Sequence, residues 1–143
     1  MAGRAPARPR RRGSGALPSL FVYGTLQDTR RVRAALGAEA RWRVLGAGTI
    51  RGVLYDAGPY PALQRSGSPD DIVPGLLLEL GDESLLVALD RYEGVDSGLY
   101  LRERVEVSLA GGGQQGAWVY VYNQSVAGLR RIPKWPADDD NSC

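Results

Sequence analysis

The stretch Leu20-Phe21-Val22-Tyr23-Gly24-Thr25-Leu26 constrains this chain most. It opens as an apolar run long enough for a buried strand and stops at Gly24. A glycine lets the backbone turn where a side chain would clash, and lets a ligand come close to the main chain. Thr25 adds a hydroxyl beside N–H groups released from the sheet. Two readings stand side by side: a strand with an ordinary turn, or a strand whose end cradles a small anion.

What the chain lacks narrows its chemistry. It has no histidine, and its one cysteine is Cys143, the last residue. Ser-His-Asp and Cys-His catalysis are excluded, as are zinc sites built on His or Cys. No disulfide framework can form, which fits a reducing cytoplasm. No Gly-rich phosphate loop ending in Lys-Ser or Lys-Thr is present. No apolar run approaches the roughly 20 residues that span a bilayer, and no apolar signal segment opens the sequence. The expected location is therefore the cytoplasm, with no membrane partner.

The 143 residues suit one domain with a real core. The net charge of +2 hides an asymmetry. Residues 1–19 carry five arginines and no acid, so the rest holds 13 basic and 16 acidic residues, a net of −3. Residues 1–18, rich in Arg, Ala, Gly and Pro, read as a disordered leader. Its charge reads as a solvated tail or as a nucleic-acid or lipid contact, and the lack of aromatic or amphipathic company favours the tail. Residues 19–124 form the expected domain, and 125–143, with Pro133, Pro136 and Asp138–Asp140, a loose tail.

Within the domain, Asp28 or Thr29 caps a helix over 29–37, with Val32, Ala35 and Leu36 on its apolar face and Gly37 at its end. Its arginines Arg30, Arg31 and Arg33 read as a wet surface. Trp42–Tyr55 reads as extended chain bent at Gly46, Gly48 and Gly52, as in a small curved sheet. Ala62-Leu63 is a short strand. Ile72–Leu80 is a buried one, with a bulge or an edge near Pro74 and Gly75. Asp82 caps a second helix over 83–91 with Leu85, Leu86 and Leu89 facing the core. Tyr100–Leu109 alternates, with Leu101, Val105, Val107 and Leu109 on one side, and pairs through Gly111–Gly113 with Trp118–Tyr122. The order β-α-β-β-β-α-β-β predicts an α+β fold with a mixed, strongly curved sheet and two main helices.

Glu93 is the second informative residue. It falls where the second helix should end, and the partial negative charge of a helix C-terminus disfavours an anion. Tyr92 and Tyr100 nearby add desolvation. Both effects raise a carboxyl pKa, as a general acid/base near neutrality requires. The plainer reading is a surface glutamate before the C-capping Gly94.

Five segments together resemble the gamma-glutamylcyclotransferase-like family, in its AIG2-like and gamma-glutamylaminecyclotransferase branch. They are Phe21-Val22-Tyr23-Gly24-Thr25-Leu26, Tyr60-Pro61-Ala62-Leu63, Leu89-Asp90-Arg91-Tyr92-Glu93-Gly94, Tyr100-Leu101-Arg102 and Trp118-Val119-Tyr120-Val121-Tyr122. The resemblance spans roughly residues 19–123. It implies a small mixed barrel with helices around it. It implies that Tyr23, Gly24, Thr25 and Leu26 hold a gamma-glutamyl group, that Glu93 is the catalytic acid/base, and that the products are 5-oxoproline and a free amine, with no cofactor. Tyr100 is expected to line the pocket, and Arg102 to be structural or a rim charge. The expected partner is a small gamma-glutamyl amide. The leaving amine stays open among an amino acid, a lysine side chain, a polyamine and an aminoglycoside, and the oligomeric state stays open too. Loops 64–71 and 95–99 are expected to shape the amine's half of the pocket. The competing reading is a non-catalytic module that binds a metabolite or peptide.

Overall fold

The computed structural model describes residues 17–136. In chain order they form β1 (Ser19–Val22), a 3-10 turn (Thr25–Gln27), α1 (Thr29–Leu36), β2 (Trp42–Asp56), β3 (Pro61–Arg65), β4 (Ile72–Leu80), α2 (Ser84–Tyr92), β5 (Tyr100–Leu109), β6 (Gln114–Tyr122) and β7 (Arg130–Ile132). Five of these strands close into a barrel. β2 pairs antiparallel with β4, from Trp42↔Leu80 to Arg51↔Ile72. β4 pairs antiparallel with β1, from Ser19↔Glu79 to Val22↔Leu76. β1 meets β6 in parallel at Leu20↔Trp118. β6 and β5 form the long hairpin, and β5 returns to β2 at Gly48↔Leu109 and Thr49↔Ser108. The far half of β2 carries β3 and β7, so that Leu54 sits opposite both Leu63 and Ile132.

β1 is buried throughout, and apolar from Leu20 on, because both of its faces are covered. Phe21 points into the barrel with Ile50, Leu77, Val105, Val107 and Val119. Leu20 and Val22 point outward, into a second core with Val32, Leu86, Leu89, Tyr100 and Tyr120. That second core holds the helices on the barrel. α1 starts at Asp28, whose side chain accepts the Arg30 N–H at 3.0 Å, and it buries Val32. α2 follows Asp82, whose carboxylate accepts the Ser84 N–H at 2.7 Å, and it buries Leu86 and Leu89.

The register shift between Val44 and Gly46 lies on β2. Near its start β4 is regular but half-edged, because Pro74 pairs only with Thr49 after β1 has ended. Two expectations need correction. On β5 the inward set is Val105 and Val107, whereas Leu101 is exposed and its neighbour Tyr100 is buried on the opposite face. Tyr100 belongs to the second, outer core and packs against the Tyr60 and Tyr122 rings, so an outward residue is buried there as well. The second correction concerns the tail. Residues 130–132 are not loose: they pair with Leu54, Tyr55 and Asp56, and Ile132 is buried. Arg130 and Arg131 anchor the strand to Asp56 and Asp71 at 3.2 and 2.9 Å. A three-residue strand is too short to show alternation. The leader, apart from Leu17 and Pro18, lies outside the described residues, as does the end of the tail from 137.

No helix among the described residues is long and apolar enough to cross a membrane.

Candidate active site

The site forms where β1 runs out. Val22 is the last residue of β1 paired with β4. The chain then turns at Gly24 (φ −114°, ψ −138°) into the 3-10 turn. A Cβ on Gly24 would lie 3.0 Å from Cγ of Pro61, so β3 packs against bare backbone. Gln27 fixes the turn from behind: its Nε2 donates to the carbonyls of Tyr23 at 2.7 Å and Trp135 at 3.0 Å. The N–H groups of Gly24, Thr25 and Leu26 find no acceptor among the described residues. They are the orphan donors that open any helical turn.

Glu93 approaches from α2. It closes that helix, its own N–H bonding the Leu89 carbonyl at 2.8 Å. Gly94 follows at φ +75°, a left-handed conformation that favours glycine, and Val95 N–H returns to the Asp90 carbonyl at 2.9 Å. This cap stops the helix with the Glu93 side chain beside the β1 turn.

One cavity lies between them, lined by residues 21–26, Tyr60, Pro61, Glu93, Tyr100 and Tyr120. Tyr23, Gly24, Thr25, Leu26, Tyr100 and Glu93 are thus brought together. Arg102 is not: it forks onto Asp90 at 2.7 and 3.1 Å and lies over the Trp118 ring at 4.5 Å. Asp90 also accepts the Tyr120 hydroxyl at 2.8 Å, so this ion pair braces the cavity wall.

The Glu93 carboxyl has no ion pair or hydrogen bond among the described residues. Burial pushes its pKa up to about 7. Such a group can both take and return a proton near neutrality. The phenols around it are held protonated, raised well above their ordinary value by burial first. The Tyr23 hydroxyl donates to the Tyr120 carbonyl, and the Tyr100 hydroxyl to the Pro61 carbonyl. With their hydrogens committed, both oxygens offer only lone pairs to a guest. Among the described residues no three Asp, Glu or Cys side chains converge as a metal site.

A shallower cleft adjoins the cavity. It shares Thr25, Tyr60, Glu93 and Tyr100 with it and adds Arg31, Pro59, Tyr92 and Leu99. The 95–99 loop therefore reaches this region through Leu99. The 64–71 loop does not: its Ser66, Gly67 and Pro69 line a groove with Thr49, Arg51 and Glu106. Sequence reasoning assigned no role to Gln27, Asp90, Tyr60, Pro61 or Tyr120. Tyr60, Pro61, Asp90 and Tyr120 stood within the matching segments. Gln27 has no signal short of the fold, because its partner Trp135 is over a hundred residues away in the chain.

Fold and cavity define a small mixed-barrel domain in which a half-buried acid faces main-chain donors. The chain belongs to the gamma-glutamyl cyclotransferase, AIG2-like family, whose model matches residues 20–137. It is 32% identical over 123 residues to the gamma-L-glutamyl-butirosin B gamma-glutamyl cyclotransferase of Niallia circulans, covering 83% of this chain and 76% of that protein. Among solved structures, an AIG2-like protein from Mus musculus superposes with a TM-score of 0.69 at 23% identity, over 83% of this chain and 88% of that one. A gamma-glutamyl cyclotransferase superposes with a TM-score of 0.63 at 19% identity, over 85% and 73%. These superpositions share the barrel and its helices.

Proposed function

We propose that the protein cyclises the gamma-glutamyl group of a gamma-glutamyl amide to 5-oxoproline and releases the amine. The observation that carries this reading is the single cavity shared by Glu93 and the free N–H groups of Gly24, Thr25 and Leu26. Those donors take the substrate's alpha-carboxylate. The alpha-amino nitrogen then attacks the gamma-carbonyl carbon. The new C–N bond closes a five-membered ring, and the old amide C–N bond breaks. Glu93 accepts the proton released by the attacking nitrogen and delivers one to the departing nitrogen. The phenol oxygens of Tyr23 and Tyr100 accept from the amino group and hold its lone pair toward the carbonyl.

The attack is intramolecular, so holding the chain folded does most of the work: effective molarities for such closures reach about 10⁵–10⁸ M. Proton transfer adds typically about 10²–10⁴-fold. The relative from Niallia circulans is named for chemistry on a gamma-glutamyl group, which supports the same class of substrate for this chain. A non-catalytic binding module explains less, because a module that only binds an anion gains nothing from a buried carboxyl beside it, with a pKa raised to about 7. The deciding experiment incubates purified protein with a panel of gamma-glutamyl amides and follows 5-oxoproline by mass spectrometry. Release by the native chain and its loss in Glu93→Gln are expected. Binding without conversion would favour the module.

A further inference from the structure

Gln27 is not among the residues that line the cavity; it faces an adjoining groove with Asp28, Trp135 and Pro136. From there its amide holds the main chain of the β1 turn. Nε2 donates to the Tyr23 carbonyl at 2.7 Å and to the Trp135 carbonyl at 3.0 Å, which takes both of its hydrogens. The Gly24 carbonyl lies 3.3 Å from the same nitrogen and accepts the Gln27 main-chain N–H at 3.0 Å. Two successive carbonyls are therefore drawn toward Gln27. In a planar trans peptide the carbonyl and the N–H of the next residue point to opposite sides. Drawing back the carbonyls of Tyr23 and Gly24 thus aims the N–H groups of Gly24 and Thr25 the other way, toward the cavity that these residues share with Glu93.

The far end of this hold is firm. Trp135 follows β7 and packs against the barrel core, so its carbonyl is a point that the barrel sets. The near end needs holding. β1 has ended at Val22, and no other donor reaches the Tyr23 carbonyl among the described residues. A peptide beside a glycine turns easily, and a half-turn would present a carbonyl where a donor now stands.

We propose that Gln27 is a positioning residue for substrate binding: by holding these two peptides it makes the turn select a substrate that carries an alpha-carboxylate. This rests on the cyclotransferase reading, in which those N–H groups take that carboxylate. Gln27 stays out of the proton transfers, so its effect falls on KM more than on kcat.

The experiment takes the gamma-glutamyl amide that the panel selects and the 4-aminobutanoyl amide of the same amine, which lacks only the alpha-carboxylate, and follows release of that amine. It compares the native chain, Gln27→Met, Gln27→Glu, and Val107→Ala as a control destabilised in the barrel interior. Gln27→Met keeps the length and loses the donor. Gln27→Glu also sets an acceptor against three carbonyls. In Gln27→Met the preference for the gamma-glutamyl amide in kcat/KM should fall by about ten- to a hundredfold, the worth of a hydrogen bond to a charged group, and it should fall further in Gln27→Glu, in both through KM. Val107→Ala should keep the native preference. A preference unmoved by Gln27→Met, or lost equally in Val107→Ala, overturns the role of Gln27 and leaves the cyclotransferase reading intact. Calorimetric titration with 5-oxoproline, which bears the same carboxylate, needs no turnover, and decides the matter where the carboxylate-free amide reacts too slowly to measure. Gln27→Met should weaken that binding by a similar factor, and an unchanged affinity overturns the role. If the folded native chain converts no amide, the cyclotransferase reading falls and the titration alone decides Gln27; a native chain that binds no 5-oxoproline removes this inference too.

Discussion

Glu93 is a carboxyl that the fold makes uncomfortable, and its cost and the role proposed for it have one origin. Burial raises its pKa from 4.5 to about 7. Below pH 4.5 the folded and unfolded chains are both protonated there, and the residue leaves stability unchanged. Between 4.5 and 7 the unfolded chain loses this proton first, so stability falls as pH rises; above 7 the deficit is constant. Discounted for partial exposure, it amounts to about 2 kcal/mol. Glu93→Gln should therefore raise the melting temperature at about pH 8 by on the order of 5–10 °C and leave it nearly unchanged near pH 4.5. Thermal melts at the two pH values check this; an equal shift at both would remove burial as the cause. Turnover should move the other way, falling by about 10²–10⁴-fold in the same variant. In the native chain kcat/KM should drop as pH falls through 7, because the base must be ionised to take a proton. A flat profile from pH 5 to 8 would take Glu93 out of that role.

At the scale of the element, two chain ends make the site, and each ends for a reason visible locally. β1 stops because Gly24 can lie against Pro61, and α2 stops because Gly94 can adopt φ +75°. Gly94→Ala forces an L side chain into a left-handed conformation costing roughly 1–2 kcal/mol, and its Cβ would meet Ser97 Oγ at 3.2 Å and Leu99 Cβ at 3.3 Å. The expected result is a modest loss in denaturant midpoint with a larger loss of kcat, since the cap aims Glu93. A kcat preserved despite lowered stability would mean that the cap does not set the carboxyl's position. These ends were legible from sequence because glycine and apolar periodicity mark them directly. The helix faces at Val32 and at Leu86 and Leu89 were legible for the same reason. The face of β5 was not, since Tyr100 is buried in the outer core against Tyr60 and Tyr122 and Val105 in the barrel interior, and alternation cannot show which layer does the covering. β7 and the Gln27–Trp135 link were equally hidden, because both depend on contacts across the whole chain.

The whole molecule has two cores with different duties. The barrel interior, built on Phe21, Ile50, Leu77 and Val107, sets the scaffold. The outer layer, built on Leu20, Val22, Val32, Leu86 and Leu89, carries α2, and with it Glu93, onto the strand that supplies the N–H groups. Catalysis should depend on the second core beyond its share of stability. Leu89→Ala removes a fully buried side chain four residues before Glu93, and should cost about 2–5 kcal/mol. Val107→Ala also removes fully buried methyl groups. It does so seven residues along β5 from Tyr100, roughly 23 Å of strand at the usual rise. Both variants should be measured well below their melting points, where each is folded. There Leu89→Ala should lose kcat by about tenfold or more, since misplacement on the order of 1 Å costs up to about 10²-fold. Val107→Ala should stay near the native rate despite a lowered melting temperature. Equal kcat losses in the two variants would mean that the barrel and the helical layer act as one body, and that Glu93 is held by overall rigidity and not by the layer that carries it.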